Sequence, residues 1–442
     1  MINPKSSFGG TSTKLAALLL TALTLSACSD GHSAPNTATQ VAASTDNEPP
    51  FNRPSRPGSL QVNSIGDEPD ALPGDGRCET AQGECTLRAA VQESNALVMQ
   101  TTSPLTRTNV ILLPEGHFRF IESPPIATAV GITQDAGRLV ILGNTNIRGA
   151  GARKTIIDGN DIDRVFEVAA NATVSISDLT ITRANGSGIY NHGQLTVTRC
   201  TITENYSGYG AGIFNTPWSS AIIESSTISN NTAESEGGGI RFDSAGLVIN
   251  STISGNRILE SCCDESTYDG GTKGEGGGID ARNGSAVTII NSTIVNNHAV
   301  IGGGGVNIAK SYQGDPDNLI EDNSDGTQGH PLELINTVIA GNTSTRGPAN
   351  CSQTISPIYS LGGNVSDDDS CSLNAANDLP NVDPKIAPLA NNGGPTDTHA
   401  LAIDSPARSN GLQRSCSPHD QTGAERLHPC DAGAVNSSGT AN

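Results

Sequence analysis

A seven-residue pattern of apolar and polar positions returns along the middle of the chain. In each copy a central isoleucine lies between two small, mostly hydroxyl-bearing or β-branched residues, and the clearest copies are residues 225–231 and 250–256. Threonine and isoleucine are stiff at χ1 and fit a pleated surface, and the pattern contains no helical period, so each copy predicts a short β-strand. The central isoleucines are Ile181, Ile202, Ile228, Ile253, Ile294 and Ile339.

The spacing of the copies predicts a solenoid. Successive isoleucines are 21, 26, 25, 41 and 45 residues apart, and a Gly-Ile or Gly-Val phrase follows each of the first five copies in register. Two phrases recurring together at a period in the twenties are typical of stacked coils, in which the isoleucines would form an inner aliphatic column. The expected fold is all-β, a right-handed parallel β-helix.

An asparagine ends five of the copies. Stacked asparagines can form a hydrogen-bonded ladder between identical positions of neighbouring strands, and asparagine tolerates the left-handed backbone that would bend the chain there. The ladder residues are expected to be Asn205, Asn231, Asn256, Asn297 and Asn342.

A leucine-rich repeat is the main alternative, because its period overlaps with this one. That repeat needs several leucines and a helical back side. Here the repeated anchors are β-branched, and the intervening positions are rich in Gly, Ser and Asn. The residue types therefore favour the parallel β-helix.

Composition and charge narrow the classes of partner. Aromatic residues make up only 3% of the chain, which suits a narrow core filled by aliphatic side chains, and the formal net charge is −20. This charge argues against a nucleic acid or an anionic membrane surface as a partner, whereas it permits cations and basic partners.

The N-terminal residues have the features of an export signal. Residues 15–25 are apolar apart from two threonines, too short to span a bilayer, and preceded by lysines. Residues 25–28, Leu-Ser-Ala-Cys, resemble the lipobox of bacterial lipoproteins. That resemblance implies cleavage before Cys28, acylation of its thiol as a membrane anchor, and, with Ser29 following, location in the outer membrane. The Ser-, Thr- and Pro-rich stretch that follows predicts a disordered tether.

A terminal cap is expected before the first coil. The apolar residues Leu87, Ala90 and Val91 share one helical face, and Cys78 and Cys85 are near enough for a local disulfide rather than a metal pair, which lacks neighbouring ligands. The stretch Gly-Asp-Gly-x-Cys…Cys-Thr-Leu-Arg-Ala-Ala in residues 74–90 resembles the CSLREA domain of bacterial surface β-helix proteins. The resemblance implies that the coils begin near Val110.

The repeat fades after residue 345. The stretches 389–401 and 430–435 resemble the choice-of-anchor Q domain, which implies a unit that closes a β-helix. Cys351 with Cys371, and Cys416 with Cys430, are candidate disulfides; a zinc site made by the second pair with neighbouring histidines is the alternative.

The expected organisation is therefore a signal peptide, a tether, a cap, a β-helix, a closing region and a tail. The predicted bounds are 1–27, 28–59, 60–109, 110–345, 346–436 and 437–442. Two long gaps in the repeat, about 257–274 and 310–331, predict loops inserted on the side of the β-helix. The first contains Cys262 and Cys263, whose partners the sequence leaves open, as it does that of Cys200.

Candidate chemistry is sparse. Catalysis on acidic glycans needs paired carboxylates, or a carboxylate cluster with a basic residue, at equal register on neighbouring coils. Only Asp280 and Arg241 meet this condition after the Gly-Ile phrases, and no column of acidic residues is visible. Calcium at the acidic stretch 315–325 has no twelve-residue loop pattern to support it, so neither a metal nor another cofactor is expected.

The function expected from the sequence is that of a lipid-anchored cell-surface protein, a non-catalytic binding, adhesion or envelope module with a glycan or protein ligand on its outer faces. A polysaccharide lyase or glycoside hydrolase is the alternative, with Asp280 and Arg241 as its candidates.

Overall fold

The computed structural model describes residues 59–100, 108–121, 126–127, 133–134, 137–259, 274–282, 285–309, 332–347, 349–353 and 357–437. Cys28, Cys262, Cys263 and the acidic stretch 315–325 lie outside these ranges.

Four stacks of parallel strands run through the described residues. Sheet 1 has ten strands: Ser59–Gln61, Asn109–Leu112, Thr145–Arg148, Thr173–Ser177, Gln194–Thr198, Ser220–Glu224, Ala245–Ile249, Val287–Ile290, Leu332–Ile335 and Ile358–Gly362. Sheet 2 has nine: Gly116–Arg119, Thr155–Asp158, Thr180–Thr182, Thr201–Thr203, Thr227–Ser229, Thr252–Ser254, Thr293–Val295, Val338–Ala340 and Val365–Ser366.

The other two stacks contain fewer strands. Sheet 3 has eight strands: Leu139–Ile141, Phe166–Val168, Ile189–Asn191, Ile213–Asn215, Ile240–Phe242, Ile279–Arg282, Val306–Ala309 and Cys351–Gln353. Sheet 4 has five: Tyr206–Tyr209, Thr232–Glu236, Arg257–Ile258, His298–Ala299 and Thr343–Ser344. The sheets extend beyond the predicted interval 110–345, because strands from both flanking regions pair onto the end coils.

Two small antiparallel sheets lie outside these stacks. They pair Ile126–Ala127 with Thr133–Gln134, and Ile386–Ala390 with Thr398–Leu401. The helices described are Leu87–Met99 and the short 3-10 turn Gln413–Ser415. Neither combines the length and apolar character that a bilayer crossing requires.

The repeated isoleucines of sheet 2 lie directly above one another. Each pairs in register with the next, from Ile181 through Ile202, Ile228 and Ile253 to Ile294 and Ile339. All six are fully buried. The column exists because strands alternate their side chains between two faces, so the isoleucine points inward while its two small neighbours point outward.

The phrase-end asparagines form a continuous ladder inside the coil. The Nδ2 atom of Asn205 donates to Oδ1 of Asn231 at 2.9 Å, and the same 2.9 Å bond joins Asn231 to Asn256, Asn256 to Asn297 and Asn297 to Asn342. One further step carries the ladder to Asn350. Because these amides are buried, each one satisfies polar atoms that water cannot reach.

The bend at the end of each phrase differs from the expectation. The left-handed residue is not the ladder asparagine but the residue before it: Glu204, Asn230, Gly255, Asn296 and Gly341 have φ of 57°, 54°, 68°, 57° and 63°. Bending one residue earlier turns the following asparagine inward, where its side chain can reach the next coil.

The helix Leu87–Met99 covers the first coil, as a β-helix edge requires. Thr86 caps it by accepting the Ala89 N–H at 3.0 Å, and Asn95 bonds both the Val140 carbonyl and the Leu142 N–H. The expectation of one apolar face is too simple, since polar side chains are buried as well. Arg88, for example, pairs with Asp67 at 2.8 Å with both side chains under 5% exposed.

The C-terminal residues 384–437, here called the C-terminal strap, lie along the outward face of sheet 2. The outward hydroxyls of Thr227 and Thr252 donate to the Asp397 carbonyl and to Oε1 of Gln421, each at 2.6 Å, and Thr293 accepts the Ala434 N–H at 2.9 Å. The strap therefore binds the small polar residues that flank each buried isoleucine, rather than the last coil alone.

Three disulfides are present in the described residues. They join Cys78 to Cys85, Cys351 to Cys371 and Cys416 to Cys430. The last bond removes the thiolates that the alternative zinc site would need. Cys200 is a buried free thiol, and burial raises its pKa to about 12, so it stays protonated and inert.

Candidate functional site

The outward face of sheet 3 carries a column of large and charged side chains. In each strand the flanking residues point inward, as Ile240 and Phe242 do with no exposure, so the middle residue points outward. The strand register places these middle residues above one another. From one coil to the next they are Glu167, Tyr190, Phe214, Arg241, Asp280 and Asn307.

Asp280 and Arg241, the pair singled out from the sequence, occupy paired positions on adjacent coils. Each also has an oppositely charged neighbour two residues further along the chain. Arg241 Nε lies 2.7 Å from Asp243 Oδ1, and Arg282 Nε lies 2.7 Å from Asp280 Oδ2. The order of charge is thus reversed from one coil to the next, which is the arrangement that neighbouring strands need for mutual attraction.

Two glutamates complete what we call the charge cluster. Glu236 Oε2 lies 2.8 Å from Arg241 Nη1 and 2.6 Å from Arg282 Nη2, and so bridges the two guanidinium groups. Glu275 pairs with Glu236 in an isolated parallel bridge on the adjacent coil. The cluster contains four carboxyl and two guanidinium groups, and all are buried: Glu236, Arg241, Asp243, Glu275, Asp280 and Arg282.

Sequence reasoning missed both glutamates, although a signal was present. Each stands immediately before three glycines and an isoleucine, in residues 236–240 and 275–279. The glycines are needed because the coils approach closely here: a Cβ on Gly277 would lie 2.4 Å from the His298 carbonyl oxygen. The close approach also brings the preceding glutamates over one another.

The buried environment shifts the pKa values of several members of the charge cluster. Burial, reinforced by the negative charge of Asp280, raises the pKa of Glu275 to about 8. Burial also raises the pKa values of Glu236 and Asp243, against the opposing effect of the arginines. Burial alone would lower the pKa of Arg282, but Asp280 and Glu236 outweigh it and hold that pKa above its usual value. A pKa of about 8 favours the protonated form of Glu275 at neutral pH.

Asn307 links the carboxyl groups of Glu275 and Asp280. Its Nδ2 donates to Glu275 Oε2 at 3.1 Å and to Asp280 Oδ1 at 2.7 Å. Chemically, this places a carboxyl group with a raised pKa beside a second carboxyl group that is paired with an arginine, an arrangement that acid–base catalysis can use. The burial of the cluster works against that use, since a substrate would have to displace covering atoms to reach either group. The described residues contain no group of three or more His, Cys, Asp or Glu side chains placed to hold a metal ion.

The other half of the column is aromatic and partly open to solvent. Tyr190 packs edge-on against Phe214 with ring centroids 5.0 Å apart, and Arg164 lies over the Tyr190 ring at 4.2 Å. Arg241 joins the two halves, because its guanidinium also lies over the Phe214 ring at 4.9 Å and the Tyr209 ring at 4.8 Å. These cation–π contacts stiffen the rings as well as stabilise the arginines.

A single tryptophan follows the Phe214 strand. Trp218 is 81% exposed, and it lies in a turn in which the Ser219 N–H donates to the Thr216 carbonyl at 3.3 Å. The hydroxyl of Thr216 lies 3.1 Å from Nδ1 of His192, whose ring contacts Tyr190 edge-on at 4.7 Å. The sequence signal was the only tryptophan of an aromatic-poor chain, set after a proline.

Comparisons with known proteins bear on the fold. The family model described as "Right handed beta helix region" matches residues 164–347. A solved structure titled "Crystal structure of pectate lyase Pel9A" aligns with 14% sequence identity and a TM-score of 0.42, covering 86% of this chain and 97% of that one. No curated protein sequence matches this one. Together with the four stacks of parallel strands, the family match identifies the chain as an all-β protein built on a right-handed parallel β-helix.

Proposed function

We propose that this chain is a lipid-anchored protein of the bacterial outer membrane whose β-helix binds a glycan or protein ligand and performs no turnover. Cys28 would carry the lipid, and residues 29–58 would form the tether. Residues 60–109 and 346–436 would be CSLREA-type and choice-of-anchor Q-type units that close the two ends of the repeat. The support for the anchor and these units is the resemblance of their sequence motifs.

One contrast on the outward face of sheet 3 carries the binding proposal. The ionisable groups that could perform catalysis are buried and paired with one another, whereas the aromatic groups beside them reach solvent. Tyr190 and Phe214 of sheet 3 are half-buried, and Tyr209 of sheet 4, which contacts Phe214, is 40% exposed, whereas Asp280 is not exposed at all. Exposed aromatic residues supply contact area for a ligand, while a buried ion-pair network mainly organises the structure beneath it.

Retention on surfaces tests this proposal. The full chain, labelled at one site, is applied to bacterial cells and to arrays of glycans and proteins, and we expect saturable binding. Tyr190→Ser should weaken the binding, because it removes the centre of the aromatic stack. Tyr359→Ser is the matched control, since Tyr359 is 45% exposed on a different sheet. Absence of saturable binding on all of these surfaces would refute a binding role.

A polysaccharide lyase or glycoside hydrolase is the second candidate, and the Glu275–Asp280 pair favours it. Two adjacent carboxyl groups, of which Glu275 has a raised pKa, suit general acid–base chemistry on a glycosidic bond. The test is release of reducing ends or unsaturated products from acidic polysaccharides. Turnover that disappears in both Glu275→Gln and Asp280→Asn, with the circular dichroism spectrum unchanged, would replace the binding proposal with the enzyme.

A further inference from the structure

Trp218 occupies a backbone position that suits glycine. Residues 216–219 form a β-turn with Pro217 at its second position and Trp218 at its third, where φ is 68°. A third-position residue with positive φ defines a type II turn, and glycine or asparagine is the usual occupant because a Cβ is disfavoured there. A tryptophan in this position is an outlier of the kind that accompanies function.

The indole ring of Trp218 is exposed to solvent. Its side chain is 81% exposed, while the turn beneath it is held by several hydrogen bonds. Ser219 Oγ lies within hydrogen-bond distance of Asn215 Oδ1 at 2.8 Å and of the Thr216 carbonyl at 2.6 Å, and the Thr216 hydroxyl donates to the Asn191 carbonyl at 2.9 Å. These hydrogen bonds hold the backbone that carries the ring in one conformation. A ligand would therefore not have to order the backbone before it binds.

The side chains linked to the turn combine apolar and polar groups. Next to the turn lie the imidazole of His192, bonded to Thr216, and the half-buried ring of Tyr190. An aromatic face has negative charge above its centre, so it attracts the weakly positive C–H bonds on the flat side of a sugar ring. Hydroxyl and imidazole groups at the edge suit the sugar's equatorial hydroxyls. The chain's net charge of −20 disfavours an anionic ligand.

We propose that Trp218 is a stacking platform for a neutral hexopyranose unit of a polysaccharide, with His192, which is bonded to Thr216 of the same turn, as a polar partner. This inference rests on the proposed binding function and names its ligand class. The β-1,4-linked glucose chain is the simplest ligand of this kind, because its equatorial hydroxyls leave C–H bonds exposed on both faces of each ring.

Fluorescence isolates this site, because Trp218 is the only tryptophan. The full chain is titrated with a β-1,4-glucose hexasaccharide, a galacturonate hexasaccharide and tetramethylammonium. We expect a saturable shift of the emission to shorter wavelength with the neutral sugar alone. A response to the uronate or to the ammonium ion alone, or to none of the three probes, overturns the proposal.

Variants separate binding from folding. Trp218→Gly suits the positive φ and should leave thermal stability unchanged or higher, yet it should weaken binding of the neutral hexasaccharide at least about tenfold by calorimetry. Trp218→Phe keeps a ring and should retain most of the affinity, and Tyr359→Ala is the control for a general loss of exposed aromatic surface. Equal affinity in Trp218→Gly and the wild type overturns the proposal.

Cell binding, measured in parallel, distinguishes failure of this inference from failure of the proposed function. A wild-type protein that binds cells without any response to neutral sugar retains the proposed function and loses this inference. A sugar response without cell binding supports this inference and counts against the surface role.

Discussion

Glu275 and Asp280 share one hydrogen-bond donor: both carboxyl groups accept from Nδ2 of Asn307, at 3.1 and 2.7 Å. Two carboxylates this close repel each other when both are ionised, and burial adds to the cost. The proton that relieves this repulsion resides on Glu275, whose pKa is raised to about 8.

This proton makes stability depend on pH. Because the pKa of Glu275 rises from its ordinary value of 4.5 to about 8 on folding, the folded protein binds more protons between these values. The contribution to stability is fully present below pH 4.5 and is lost as the pH rises toward 8, with a slope of at most about 1.4 kcal/mol per pH unit.

Urea unfolding of Glu275→Gln and of the wild type between pH 5 and 8 measures this effect. Glutamine imitates the protonated acid, so the variant should lose stability less steeply as the pH rises. Glu115→Gln, at an exposed position, is the control and should follow the wild type. Identical slopes in Glu275→Gln and the wild type would show that Glu275 is ionised throughout.

The asparagine ladder should be sensitive to a single break. Asn256 accepts from the side chain and the backbone N–H of Asn231, and it donates to the Ile228 carbonyl and to Asn297. Asn256→Ala would leave several buried polar atoms without partners and should cost about 3 kcal/mol of unfolding free energy. Asn185→Ala, at an exposed position, should change it by less than about 0.5 kcal/mol. Equal losses in the two variants would contradict the ladder's role.

The aliphatic column should respond to truncation in the same way as a globular core. Ile228→Ala removes a fully buried side chain between Ile202 and Ile253, and about 2–5 kcal/mol should be lost. The matched control is Ile403→Ala, because Ile403 is 71% exposed. The measurement is the urea midpoint, and a small effect of Ile228→Ala would mean that the coils can close over the cavity.

The C-terminal strap should loosen when its central side chain is removed. Gln421 Nε2 donates to the hydroxyls of Thr227 and Thr396, each at 2.9 Å, while its Oε1 accepts from Thr252. Gln421→Ala should accelerate proteolytic cleavage within residues 384–437 about tenfold, because local opening becomes easier. Gln194→Ala, on an exposed side chain, should not. Unchanged cleavage would show that the strap is held by its other contacts.

The proposed anchor yields a cellular prediction. Cys28→Ser removes the thiol that would be acylated, so the protein should move from the membrane fraction to the soluble fraction after cell lysis. Ser29→Ala keeps the thiol and should remain with the membrane. Cys28→Ser protein that still sediments with membranes would argue against lipidation.

The geometry of the coil follows from local rules in the amino-acid sequence. Each seven-residue copy specifies which residue points inward, because side chains alternate along a strand. Since the copies pair in equal register, the equivalent residue of each copy lies over that of the next. Ile202 above Ile228, and Asn231 above Asn256, follow from these local rules, and so does the outward position of Arg241 and Asp280.

What the outward residues contact depends on the tertiary fold. The shared phrase Glu-Gly-Gly-Gly-Ile places Glu275 over Glu236, but the bridging of Arg241 and Arg282 by Glu236 depends on side-chain packing that no period encodes. The strap contacts Thr227 through Gln421, at a separation of 194 residues, and no repeat relates the two segments. Periodicity predicts contacts between equivalent positions because one geometry is reused in every coil; contacts between unlike segments arise once, from packing and desolvation, and leave no recurring pattern in the chain.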